Sequence, residues 1–146
     1  MKLRYEIEAD WLLLKTCNFR CTYCGWSPAV LGSKLVTHAT HQQWADAFRA
    51  TGKTWLLHLT GGEPSIYPDF VGLCLALATE HYLSINSNLS NPSILDFAER
   101  VNPERVHYVN AAVHSDERHK KSSHEIFIKH VKYSSDIISM CWSLRS

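Results

Sequence analysis

Short apolar runs alternate with helix-patterned stretches along the chain, and this alternation limits the possible folds more than any other feature. Runs at residues 10–16 (DWLLLKT), 54–60 (TWLLHLT), 82–86, 105–113 (RVHYVNAAV) and 136–142 (DIISMCW) read as five strands. Between them, Thr40 and Gln43 make a capping box, with Trp44, Ala47, Phe48 and Thr51 at helical spacing and Gly52 to close the helix. Pro68 opens a second helix to about residue 81, with Phe70, Val71, Leu73, Cys74 and Leu77 on its buried face. Asn91-Pro92 starts a third, which ends before Pro103. Ser122 and Glu125 form a further capping box ahead of Ile126, Phe127, Ile128 and Val131. Such alternation predicts right-handed βαβ units and a parallel sheet. No repeat, low-complexity tract or linker divides the chain, so residues 1–146 read as one α/β domain.

The polar and glycine-rich segments fall where strands end. They are the loop beginning at Cys17, Gly61-Gly62-Glu63-Pro64, Asn86-Ser87-Asn88, and His114-Ser115-Asp116. In parallel α/β proteins the carboxyl ends of strands face the ligand. Four separate segments therefore converge on one rim.

The first of them carries Cys17, Cys21 and Cys24 at the spacing Cys-x3-Cys-x2-Cys, with no fourth cysteine close by. Three thiolates hold three corners of a four-iron cluster and leave the fourth iron open. An open metal corner is a place for chemistry, whereas a closed one is structural. The competing assignment is a zinc site completed by His38 or His41.

Cys17-Asn18-Phe19-Arg20-Cys21-Thr22-Tyr23-Cys24, followed at the next strand end by Gly61-Gly62-Glu63-Pro64, resembles the two motifs of the radical S-adenosylmethionine (radical SAM) enzymes. The resemblance runs from about Asp10 to Asp116 and implies a partial (β/α) barrel. It implies a [4Fe–4S] cluster on Cys17, Cys21 and Cys24 whose open iron chelates S-adenosylmethionine. It implies reductive cleavage of that cofactor to a 5′-deoxyadenosyl radical, with an external electron donor such as flavodoxin or ferredoxin. The cofactor-binding residues it implies are Tyr23, Gly61, Gly62, Glu63, Ser87, Asn88 and His114. Asn18 and Arg20 shape the loop, and Arg20 is placed to tune cluster charge. Cys74 and Cys141 lie on apolar patterns and read as buried.

A net charge of +1 and the lack of a basic stripe argue against a nucleic-acid partner. The charged, alternating N-terminus is no signal peptide, and no apolar run nears the ~20 residues of a membrane span. A cytoplasmic location follows, where an odd count of five cysteines points to metal or redox chemistry rather than disulfides.

Length departs from the pattern. A (β/α)8 barrel spends about 31 residues per unit, so this chain holds about 4.7 units, against six in the family core. The last β/α unit is expected to be missing. Two alternatives to a working enzyme follow: a non-catalytic cluster- or cofactor-binding module, and a zinc-binding structural domain. An uncovered fifth strand would invite a partner chain. The substrate is not legible.

Overall fold

Successive strands lie side by side and run the same way, each connection crossing over through helix. The computed structural model describes residues 4–138 and 140–143, with side chains to residue 138. The strands are β1 (Ile7–Leu14), β2 (Trp55–Gly61), β3 (Tyr82–Ser87), β4 (Val106–Ala112) and β5 (Met140–Ser143). They form one five-stranded sheet in sequence order, every pair parallel. The helices are α1 (Pro28–Leu31), α2 (His41–Ala50), α3 (Phe70–Leu77), α4 (Ser93–Arg100), α5 (Ser115–Lys120) and α6 (His124–Ser135).

Alternation along the strands gives the sheet two unlike faces. Leu57, Leu59, Leu83, Ile85, Val109 and Ala111 join the core with Phe70, Leu73, Leu77, Ile94, Phe97, Phe127 and Val131 from the helices. The opposite, inner face is polar. His58, Ser84 and Tyr108 are register neighbours across β2, β3 and β4. His58 is hydrogen-bonded through Nδ1 to Ser84 Oγ and through Nε2 to Glu8 Oε1. One layer nearer the strand ends stand Thr60, Asn86 and Asn110.

The expected helix signals hold in part. Gln43 N–H donates to Thr40 Oγ1 at 3.2 Å and Thr40 N–H to Gln43 Oε1 at 2.9 Å, so the capping box of α2 is real. Gly52 ends that helix with φ +66°. The second box is not formed. Ser122 has φ +48°, Ser123 takes the N-cap, and no side chain caps α6.

Strand β1 begins at Ile7 rather than residue 10, because it lies at the sheet edge, where Glu8 and Asp10 stay exposed even as Glu8 reaches His58. The helix assigned to Pro68 starts at Phe70, while Pro64 opens a separate 3₁₀ turn, Pro64–Ile66. The last strand is Met140–Ser143, because the turn that ends α6 after Ser135 takes up the start of the run assigned to it, with Ile137 N–H and Ile138 N–H both donating to Ser134 O. Within that run, residue 139 and the Cys141 side chain lie outside what is described. Segment 115–120 is helix α5, with Glu117 and Arg118 turned inward.

Candidate functional site

The rim where β1 to β4 end encloses a cavity of about 370 Å³. Its walls include Cys17, Cys21, Tyr23 and Cys24, then Gly61, Gly62 and Glu63, then Ser87 and Asn88, then His114. All ten residues singled out from sequence therefore line one space.

The cysteine loop is held by its backbone and its non-cysteine side chains. Cys17 N–H donates to Leu31 O at 2.9 Å. Arg20 folds back on its own loop, donating to Cys17 O at 2.5 Å and Phe19 O at 2.8 Å, while its backbone N–H reaches Glu117 Oε2 at 2.9 Å. Asn18 bridges to the β3 rim, accepting from Asn88 Nδ2 at 2.9 Å and donating to Ser90 Oγ at 2.7 Å. Phe19 is almost fully buried and anchors the loop.

The three thiols are free. Cys17 Sγ accepts a backbone N–H from Phe19 at 3.3 Å. Burial nevertheless pushes its pKa up to about 11, and burial raises Cys21 as well. Without a metal the Cys17 and Cys21 sulfurs stay protonated near neutrality, so a metal must displace their protons. Among the described residues no three His, Cys, Asp or Glu side chains converge on one point, as ligands of a single ion would. A cubane places each thiolate on a different iron. His41 pairs with Asp69 at 2.5 Å, and His38 lines separate grooves beside Tyr67. Neither completes a zinc site with the cysteines.

The two glycines meet a demand that the sequence did not reveal. A Cβ on Gly61 would lie 2.2 Å from Leu14 O, and one on Gly62 would lie 1.9 Å from Thr16 O. The end of β1 crosses directly over them, with Gly62 N–H donating to Leu14 O at 2.9 Å and Glu63 N–H to Thr16 O at 3.0 Å. They are glycine so that β1 and its cysteine loop can close onto β2.

Glu63 joins two strand ends at this rim. It is 1% exposed. Its Oε1 accepts from Ser65 N–H at 3.1 Å, Ser65 Oγ at 2.6 Å and Ser87 Oγ at 2.6 Å, and its Oε2 from Asn88 N–H at 2.7 Å. Burial pushes its pKa up, and these donors oppose that rise. The side chain ties the rim of β2 to the rim of β3.

His114 holds a left-handed backbone (φ +49°) at the end of β4. Its Nδ1 is hydrogen-bonded to Tyr23 Oη and lies 3.5 Å from Cys21 Sγ. Its ring stacks on that of Tyr23, with centroids 5.9 Å apart and planes at 18°.

Sequence reasoning missed Arg118. It is fully buried. Its guanidinium donates to Val113 O, Asn88 O and Ala112 O, and lies 4.0 Å over the Phe127 ring and 5.4 Å from that of Phe19. Burial lowers its pKa to about 10. Glu117 beside it accepts from Arg20 and from Lys120 Nζ at 2.9 Å, and Lys120 foremost holds its carboxyl below the usual range. Both residues sit within a run of charges, which gives no local sign of burial.

The description of the radical SAM superfamily matches residues 11–139. The chain is similar to the GTP 3′,8-cyclase of Haemophilus influenzae (strain PittEE), at 38% identity over 65 residues, covering 42% of this chain and 19% of that protein. It is similar to the GTP 3′,8-cyclase of Klebsiella pneumoniae (strain 342), at 35% identity over 94 residues, covering 62% of this chain and 25% of that protein. The chain thus spans at most about a quarter of these relatives' length. In fold it resembles anSMEcpe with bound AdoMet, with a TM-score of 0.63 and 15% identity over 93% of this chain and 42% of that one. The same protein with bound AdoMet and the Kp18Cys peptide gives a TM-score of 0.61 at 14% identity.

Proposed function

The chain belongs to the radical SAM superfamily, and from that premise we propose that it generates a 5′-deoxyadenosyl radical at the rim just described. Cys17, Cys21 and Cys24 would hold the [4Fe–4S] cluster. The observation that carries this reading is that these three free thiols and the Gly61-Gly62-Glu63 turn, separated by about 40 residues, wall one cavity. When bound, the cluster would supply one electron, drawn from an external donor, for reductive cleavage of S-adenosylmethionine.

The chain's own residues bind, orient and shield. Backbone carbonyls of Gly61 and Gly62 are acceptors for the cofactor's ammonium, and Glu63 holds that turn against Ser87 and Asn88. Ser87, Asn88 and His114 contribute polar contacts at the β3 and β4 rims. Tyr23 offers a ring face to the adenine. Arg118 keeps the ends of β3 and β4 together. An external one-electron donor of the flavodoxin or ferredoxin type and a cytoplasmic setting belong to the same reading. No helix among the described residues is long and apolar enough to cross a membrane.

The test is anaerobic reconstitution with iron and sulfide, then reduction with dithionite in the presence of S-adenosylmethionine. About four irons per chain and formation of 5′-deoxyadenosine are expected. Cofactor binding without 5′-deoxyadenosine would reduce the protein to a binding module. A colourless protein with stoichiometric zinc would overturn the reading.

A further inference from the structure

Holding two strand ends together accounts for only part of the Arg118 guanidinium. Its Nε donates to Val113 O, and its Nη2 to Asn88 O and Ala112 O. Its Nη1 is buried and has no hydrogen-bond partner. Each of these acceptors is an uncharged carbonyl, and carbonyls ask for donors rather than for a positive charge. Among the described residues no carboxylate lies within ion-pair distance of the guanidinium. Glu117, its neighbour in the chain, is taken by Lys120 and the Arg20 N–H. Between Arg118 and Glu63 stands the backbone of Asn88, whose N–H donates to Glu63 and whose carbonyl accepts from Arg118. A fully buried cation without its own counter-ion is costly, so its charge calls for an explanation that its hydrogen bonds do not give.

The surroundings identify the counter-charge. Arg118 stands directly behind the cavity wall. Its guanidinium lies 5.4 Å from the Phe19 ring and holds the carbonyls of Asn88 and Ala112, and all three of those residues line the cavity. Phe19 in turn donates its backbone N–H to Cys17 Sγ at 3.3 Å. Burial lowers the Arg118 pKa to about 10, with Glu63 and then Cys21 opposing the fall, so the side chain stays charged at neutral pH.

A cubane on Cys17, Cys21 and Cys24 would carry three thiolates, which make it anionic, and an added electron makes it more so. Net charge and solvent exposure set the reduction potential of such a cluster. A positive charge fixed in a low-dielectric wall beside it favours the reduced form over the oxidised one. We propose that Arg118 is the built-in counter-ion of the cluster and raises its potential into the range of a biological donor. In that step one electron leaves a flavin or iron–sulfur carrier and enters the cluster, and no proton moves and no bond is made or broken. Arg118 acts through the wall, as a tuning residue rather than a catalytic one. The inference rests on the radical SAM reading above.

The experiment is a redox titration of the reconstituted cluster, followed by electron paramagnetic resonance without S-adenosylmethionine. Arg118→Met removes the charge together with its donors. Citrulline introduced at position 118 removes the charge alone. It replaces one terminal nitrogen by oxygen, and Nη1 has no partner to lose, so Nε and the other nitrogen keep their carbonyls and the fold is spared. Both changes should make reduction harder by about tenfold or more, a fall of about 59 mV or more in midpoint potential for one electron. Lys121→Gln removes an exposed cation 5.9 Å from the same Phe19 ring, and solvent screening should hold its effect within about twofold. The inference is overturned if the citrulline protein titrates at the wild-type potential, or if Lys121→Gln moves the potential as far. It is also overturned if the potential stays while S-adenosylmethionine affinity falls, since the guanidinium then serves the cofactor's carboxylate. In each of these cases a wild-type cluster signal that responds to S-adenosylmethionine leaves the proposed function standing. A wild-type protein that takes up no cluster removes both.

Discussion

Two walls of the cavity are built in different ways. On the β2–β3 side, Glu63 is buried and accepts four hydrogen bonds from Ser65, Ser87 and Asn88, so the wall is complete without any ligand. On the other side, the cysteine loop is fastened through Cys17 N–H, Phe19, Arg20 and Asn18, while its three sulfurs remain free thiols. One wall is a scaffold and the other a set of uncommitted ligands on a tethered loop. A rim prepared in this way orients a cofactor at little cost, while metal uptake converts the thiols to thiolates.

That contrast predicts separable effects of substitution. The largest should come from Gly62→Ala, whose Cβ would sit 1.9 Å from Thr16 O and force β1 away from β2. A loss of about 3 kcal/mol or more in urea unfolding is expected. Glu63→Ala should follow at about 2–3 kcal/mol, because it leaves buried donors from Ser65, Ser87 and Asn88 unmatched. If either variant unfolds like wild type, the scaffold wall is not what it is described to be.

A smaller effect concerns pH. Glu117 has a carboxyl pKa held below its ordinary value, principally by Lys120 and then by the Arg20 N–H. A lowered folded pKa contributes stability above the unfolded value of about 4.3, and that stability is lost as pH falls through the folded value. Glu117→Gln should therefore lose stability near neutrality and show a flatter acid limb in unfolding measured from pH 7 to pH 3.

In apo protein the thiols should differ kinetically. Cys24, being exposed, should alkylate first at pH 8. Cys17, with its pKa pushed up to about 11, should alkylate slowly and accelerate as pH rises toward that value. Mass mapping of iodoacetamide adducts against pH checks this. The smallest stability effect should be Cys24→Ala, within about 0.5 kcal/mol of wild type in apo protein, although iron retention should collapse.

Much of the site was legible because its signals are local. A Cys-x3-Cys-x2-Cys spacing, a Gly-Gly-Glu turn and polar residues after apolar runs can each be read from a few neighbouring residues, and parallel-sheet topology alone brings them to one rim. The interior side of the account was not legible. Nothing in the neighbourhood of Glu63 shows that Ser87 and Asn88, about 25 residues on, donate to it. Nor does anything near the glycines show that the β1 backbone crosses directly over them. Arg118 and Glu117 sit in a run of six polar and charged residues whose burial depends on Phe19 and Phe127 packing from elsewhere. Strand β1 was placed late because edge strands tolerate charges such as Glu8 and Asp10 on one face.

The central claim is that the cysteine loop carries a cluster with one iron open toward the glycine turn. Low-temperature electron paramagnetic resonance of the reconstituted, reduced protein, recorded before and after addition of S-adenosylmethionine, tests it directly. The account predicts a reduced [4Fe–4S] signal whose g-values shift when the cofactor is added, with the signal itself lost in Cys24→Ala. A signal that S-adenosylmethionine leaves unchanged, or no iron–sulfur signal at all, would contradict it.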